Sequence, residues 1–146
     1  MEYDYHESMK LENQLCFPLY AAARNVVSLY TPYLKPLGLT YTQYIVFLVL
    51  WEKDGITVGD ICSKLMLDSG TLSPLLKKME QSGYIERKRS RDDDRVVLIR
   101  LTSKGRALQD KAKEVPEKVA GCIDLPAEKA QILYTLLNEL LDKSKA

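Results

Sequence analysis

The stretch Leu75-Leu76-Lys77-Lys78-Met79-Glu80-Gln81-Ser82-Gly83-Tyr84-Ile85-Glu86-Arg87 decides the fold, together with Asp93-Asp94-Arg95 and Leu101-Thr102-Ser103-Lys104-Gly105 downstream of it. Its first half continues an apolar series, Leu72, Leu75, Leu76 and Met79, at steps i, i+3, i+4 and i+7. That spacing predicts a helix with one buried face. Asp68 or Thr71 offers the N-cap and Gly83 the stop. At Tyr84 the period changes. Residues 84–88 and 96–101 are partly alternating and carry β-branched residues, and a polar tract, Arg89-Ser90-Arg91-Asp92-Asp93-Asp94, lies between them. This pattern predicts a β-hairpin.

Working outward, Thr57 opens a short helix with Val58, Ile61, Cys62 and Leu65 on one face. Two short helices followed by a basic hairpin outline a winged helix-turn-helix. In that arrangement the second helix lies in the major groove of DNA. It needs one apolar face for docking, supplied by Leu72, Leu75, Leu76 and Met79. It needs a second face of short, polar or basic residues, supplied by Ser69, Thr71, Ser73, Lys77, Lys78 and Gln81. Serine and threonine permit close approach, and lysine reaches phosphate oxygens. The charge distribution agrees. Between residues 77 and 106 stand ten Lys/Arg and five Asp/Glu, a local +5 in a chain whose net charge is +1. Such segregation marks a polyanion-binding face. Arg87, Arg91 and Arg95 are the wing contacts. An aspartate among Asp92, Asp93 and Asp94, which would otherwise repel DNA, is expected to hold Arg95 in a fixed pose for the minor groove; charge balancing in a solvated turn is the alternative.

The rest of the chain frames this unit. At 146 residues, 46% apolar and 28% charged, it has an ordinary globular composition and is read as one domain. No apolar run approaches a membrane span. The N-terminus, Met1-Glu2-Tyr3-Asp4-Tyr5, lacks the basic and apolar regions of a signal peptide, so a cytoplasmic location with reduced cysteines is expected. Leu11, Leu15, Leu19, Ala22, Ala23, Val26 and Tyr30 predict one long first helix, bent near Cys16 by Pro18 and ended by Pro32, Pro36 and Gly38. A second helix is expected over 40–51, capped by Thr42, with Ile45, Val46, Leu48, Val49 and Leu50 largely buried. Helices are also expected over 103–119 and 126–144, with Pro126 at the first position of the latter. The last carries a wide apolar face of Ile132, Leu133, Leu136, Leu137, Leu140 and Leu141. The first and last helices thus hold more apolar surface than a monomer of this size needs to bury. The fold class is mostly α with a small β-hairpin wing. Segment 40–105 is expected to serve DNA, and segments 8–35 and 118–146, with their surplus apolar surface, are expected to serve a dimer.

The quoted segments resemble the MarR family of regulators over nearly the whole chain. The resemblance implies a homodimer with interlocked first and last helices, and double-stranded DNA with a two-fold site, one recognition helix per half-site. Many family members carry a longer acid/arginine pattern at the wing. Here Asp93-x-Arg95 is clear, and Arg91 as a second wing contact rests on less.

Within that family, Gln14-Leu15-Cys16-Phe17-Pro18-Leu19-Tyr20 resembles the N-terminal motif of the organic-hydroperoxide-sensing branch. The resemblance implies that Cys16 is the peroxide-reactive group. It also implies that Tyr20, Tyr30 and Tyr41 hydrogen-bond to it, partly across the dimer. The chemistry suits those residue types. The thiolate is the nucleophile, phenol hydroxyls favour the charged form, and attack on a peroxide gives a sulfenic acid. Aromatic and aliphatic walls (Phe17, Leu19, Tyr30, Tyr41) suit an organic hydroperoxide. Cys62 is read as a core residue. Cys122 is read either as a resolving thiol for an intersubunit disulfide, as in part of that branch, or as an incidental one. The expected function is a DNA-binding repressor released by oxidation of Cys16. The alternatives are a response to a small phenolic or anionic ligand, a broader redox, stress or virulence role, or a thiol-dependent peroxidase. The peroxidase reading lacks a placed activating histidine or arginine and leaves the wing unexplained, so no enzyme is expected. One histidine and three scattered cysteines make no metal site, and no cofactor is expected.

Overall fold

The computed structural model describes residues 4–143. In chain order the described residues form α1 (Tyr5–Ser8), α2 (Cys16–Leu29), α3 (Thr31–Leu34), α4 (Tyr41–Glu52), β1 (Ile56–Thr57), α5 (Val58–Leu65), α6 (Ser69–Gln81), β2 (Ile85–Arg89), β3 (Val97–Leu101), α7 (Ser103–Ala112), α8 (Val115–Cys122) and α9 (Ala127–Lys143). Two compact units result, Met1–Val115 and Pro116–Ala146. No helix among the described residues is long and apolar enough to cross a membrane.

Side-chain caps explain where the central helices begin. The Thr40 hydroxyl accepts from the Gln43 amide at 3.2 Å, and the Gln43 side chain accepts from the Thr40 amide at 3.0 Å. This reciprocal box makes Thr40 the cap of α4, not Thr42 as the sequence suggested. Thr57 and Asp60 repeat the arrangement at α5, with both bonds at 3.0 Å. Asp68 caps α6, accepting from the Thr71 amide at 2.8 Å. Leu72, Leu76 and Met79 of α6 are fully buried with Phe47 and Leu50 of α4, Ile61 of α5 and Ile99 of β3. Leu48 departs from expectation. It lies 43% exposed, because α4 buries Tyr44 and Phe47 instead.

The wing is a three-stranded antiparallel sheet of order β1-β3-β2, with Ile85 opposite Leu101 and Arg89 opposite Val97. The hairpin agrees with the sequence reading. The third strand does not appear in it, because β1 is two residues long and shares Thr57 with the start of α5.

Three other helix readings are corrected. The expected long first helix is interrupted. Leu11–Asn13 is a 3-10 turn, Gln14 is extended, and α2 begins at Cys16. Pro18 therefore sits in the first turn, where no helical acceptor is lost, and it bends nothing. The expected helix 103–119 is two helices, α7 and α8, with Pro116 in the first turn of the second. Pro126 precedes α9 rather than opening it, and its carbonyl accepts from the Ala130 amide at 2.9 Å.

A backbone junction fixes the wing to the helices. The Thr102 hydroxyl donates to the Gly83 carbonyl at 2.6 Å, and the Thr102 amide donates to the Tyr84 carbonyl at 3.0 Å. The Gly105 amide donates back to the Thr102 hydroxyl at 3.1 Å, and the Trp51 indole donates to the Gly105 carbonyl at 3.0 Å. Beside this junction Asp54 accepts from the amides of Gly55 and Leu101, both at 2.8 Å, and pairs with Arg106 at 2.9 Å. A Cβ on Gly105 would lie 2.2 Å from the Tyr84 carbonyl oxygen, backbone that no rotamer change relieves. Gly105→Ala is therefore expected to lose stability by about 1–3 kcal/mol or more in urea unfolding. Gly59→Ala, whose Cβ would meet only the Thr57 hydroxyl at 3.7 Å, should be neutral or slightly stabilising. Equal effects of the two would show that the junction is not tight.

Candidate functional site

The α6 surface predicted to read DNA is exposed. Ser69, Thr71, Ser73, Lys77, Lys78 and Gln81 all face solvent. Thr71 is partly engaged, since its hydroxyl donates to the capping Asp68 carboxylate at 2.8 Å. That bond and the backbone amide it accompanies hold the Asp68 carboxyl below the usual carboxylate range. The cap thus stays ionised at neutral pH, which suits a helix N-terminus. Pro74 lies inside α6, so the Gly70 carbonyl lacks its ordinary helical donor.

The wing residues fall into two groups. Arg87 is engaged within the chain. Its amide donates to Glu80 at 3.3 Å and its guanidinium pairs with the same carboxylate at 3.4 Å. Glu80 thereby ties the recognition helix to β2, a role the sequence reading missed although an acidic residue amid basic ones was the available signal. Arg91 and Arg95 are exposed near the hairpin tip. Asp93 does organise Arg95, but through the main chain. Its carboxylate accepts from the Arg95 amide at 2.9 Å, so it sets the turn rather than gripping the guanidinium. A polar cleft of about 520 Å³ runs along the wing between Lys88, Arg89, Arg91 and Arg100. Lys88, Arg89 and Arg100 thus join the candidate surface.

The thiol residues are arranged differently. Cys16 is exposed and is the first residue of α2. Tyr20 lies one turn on and is 60% exposed, with the Arg24 guanidinium 5.4 Å from its ring centre. Tyr30 and Tyr41 meet elsewhere. Their rings are 4.8 Å apart, and Tyr44 joins at 5.7 Å from Tyr30. Burial, and secondarily Tyr30 nearby, push the Tyr41 hydroxyl up, so it remains a protonated donor at neutral pH. The same causes act on Tyr44. A cavity of about 430 Å³ opens against Tyr30, Tyr41, Leu34 and Lys35. Fourteen residues of helix separate Cys16 from Tyr30, a rise of about 21 Å. One chain therefore does not bring Cys16 to Tyr30 and Tyr41. Cys62 is half-buried on α5. Cys122 is exposed at the end of α8.

Both ends of the chain present apolar surface. On α2 and just before it, Leu15, Phe17, Leu19, Val26 and Val27 are exposed. On α9, Ile132, Leu133, Leu136, Leu140 and Leu141 are between 41% and 56% exposed. Their spacing forms one helical stripe.

Comparison with known proteins follows this geometry. Residues 28–112 match the family described as transcriptional regulator SarA/Rot. The chain is 47% identical over 142 residues to the organic hydroperoxide resistance transcriptional regulator of Bacillus subtilis, covering 94% of this chain and 97% of that one. Reduced AbfR of Staphylococcus epidermidis bound to DNA superposes with a TM-score of 0.77 at 37% identity, over 98% of this chain and 100% of that one. The disulfide-formed AbfR superposes with a TM-score of 0.64 at 38% identity, over 94% of this chain and 96% of that one.

Proposed function

The chain belongs to the SarA/Rot family of transcriptional regulators, within the MarR group, and from that premise we propose that it is a dimeric, cytoplasmic repressor whose hold on duplex DNA is released when an organic hydroperoxide oxidises Cys16. Segments 8–35 and 118–146 form the dimer, and segment 40–105 reads a two-fold operator. Within one chain α6 enters the major groove through Ser69, Thr71, Ser73, Lys77, Lys78 and Gln81. The wing, with Arg87, Arg91 and Arg95 and with Asp93 shaping its tip, follows the minor groove.

The observation that carries the sensing role is the separation of Cys16 from Tyr30 and Tyr41 by the length of α2. Cys16 and Tyr20 lie at one end, and the tyrosine pair at the other. A second copy packed antiparallel along the exposed α2 face brings Tyr30 and Tyr41 of one subunit to Cys16 of its partner. The similarity to the organic hydroperoxide resistance regulator favours a hydroperoxide as the signal. The Cys16 thiolate attacks the outer oxygen of the hydroperoxide. An S–O bond forms, the O–O bond breaks, and the inner oxygen leaves as an alkoxide that takes up the thiol's proton. The products are Cys16 sulfenic acid and an alcohol. Cys122 of the partner, or a small thiol, then attacks the sulfenic sulfur and releases water. Because the site spans the dimer, its rearrangement changes the spacing of the two recognition helices. A second reading is favoured by the cavity beside Tyr30, Tyr41 and Lys35, which offers phenol donors and a cation to a small aromatic anion.

A gel shift on the DNA upstream of its own coding sequence separates these readings. The reduced protein is expected to bind, a stoichiometric organic hydroperoxide to release it, and Cys16→Ser to stay bound. Binding that ignores peroxide in both proteins would contradict the redox reading and leave the ligand reading. On the DNA side, Lys77→Ala and Arg95→Ala should weaken binding and lower the slope of log affinity against log salt by about 1 each. An unchanged slope would place the phosphate contacts elsewhere.

A further inference from the structure

An unbroken series of aromatic contacts joins the tyrosine pair to the root of the wing. Tyr30 packs on Tyr44 at 5.7 Å, and Tyr44 meets Trp51 edge-on at 6.4 Å. Trp51 stacks on Phe47 at 5.1 Å, and Phe47 meets Tyr84 edge-on at 5.5 Å. The far end of this series is not a loose surface. Tyr84 begins the wing, its carbonyl is held by Thr102, and Lys104 sits 4.6 Å over its ring. Trp51 also donates its indole N–H to Gly105, the residue packed against the Tyr84 carbonyl.

We propose that Tyr44, Trp51 and Phe47 are positioning residues that carry the state of Tyr30 and Tyr41 to the wing root, so that oxidation of Cys16 moves the wing as well as the spacing of the two recognition helices. This rests on the sensing role proposed above. The physical argument is that close-packed aromatic rings do not deform continuously. In the buried middle of the series, between the cavity beside Tyr30 and the wing root, a shift of one ring must be taken up by its neighbour through a tilt or slide, because close packing leaves little spare volume there. Phe47 and Tyr44 are buried, so neither has solvent to yield into. Trp51 has a second constraint, since tilting its ring changes the geometry of its bond to the Gly105 carbonyl. That carbonyl belongs to the first turn of α7, directly after β3. A displacement entering at Tyr30 thus reaches both the sheet and the helix that anchors it.

The chain contains a single tryptophan, Trp51, so its fluorescence reports on the middle of this series without labelling. The test adds cumene hydroperoxide to the reduced protein and follows three signals: loss of the free Cys16 thiol by mass, Trp51 emission, and operator binding. Oxidation is expected to shift Trp51 emission in the wild type and not in Cys16→Ser. In Tyr44→Leu, the Cys16 thiol should still be oxidised while the Trp51 shift is lost. Tyr44→Phe, which keeps the ring, should restore it. Phe47→Leu should keep the Trp51 shift, while the peroxide-induced loss of operator affinity shrinks by roughly 3- to 30-fold. The wild-type measurements need no variant to fold. Loss of DNA binding on oxidation with unchanged Trp51 emission would overturn the coupling and leave the sensor standing. Oxidised Cys16 with DNA binding unchanged would overturn the sensor, and the coupling with it.

Discussion

Residue 105 has no room for a side chain, and much of the architecture follows from that. The Tyr84 carbonyl, at the mouth of the hairpin, presses on Gly105 in the first turn of α7. Thr102 ties the two sides with hydrogen bonds to Gly83, Tyr84 and Gly105, and Trp51 closes the junction from α4. Helix α6 ends at this point and the wing begins there. A winged helix needs a fixed angle between its helix and its hairpin. Here the angle is set by backbone contact rather than by flexible side chains. The Glu80–Arg87 pair adds a second tie between α6 and β2.

The exposed apolar stripes at the two ends of the chain stand in contrast to this closed junction. The first unit buries its central helices well, yet α2 contributes no buried residue. Helix α9 likewise has none. In the dimer proposed above, these faces become a shared core. A thiol at the start of α2 is then placed where a small chemical change acts on subunit packing.

The sequence made the helix-and-hairpin half legible because its signals are local. The Leu72, Leu75, Leu76, Met79 series marks the recognition helix, and the change of period at Tyr84 marks the wing. What escaped was set by tertiary structure or by lengths too short for a period. Strand β1 has two residues and is defined by its pairing with Ile99 and Leu98. The cap of α4 hinged on which of two threonines has Gln43 three residues later. The break ahead of Cys16 was masked by a leucine spacing that runs through it, although Pro18 is more at home in a first turn than in a helix interior. For the thiol site, the sequence named Cys16, Tyr20, Tyr30 and Tyr41 but not the ring contact that joins Tyr30 to Tyr41. It was equally silent on Tyr44, whose importance comes from ring contacts across α2 and α4.

The claim on which this account turns is that the sensing site is completed by two chains. It is tested most directly by mixing subunits. One subunit carries Cys16→Ser, and the other carries Tyr30→Phe with Tyr41→Phe. In the mixed dimer an intersubunit site pairs the intact Cys16 of one chain with the intact tyrosines of the other. The account predicts that hydroperoxide oxidises Cys16 in the mixed dimer at close to the wild-type rate per intact site, while both parent homodimers react slowly or not at all. A mixed dimer as unreactive as the tyrosine-substituted parent would contradict it and place the tyrosines and the thiol in the same chain.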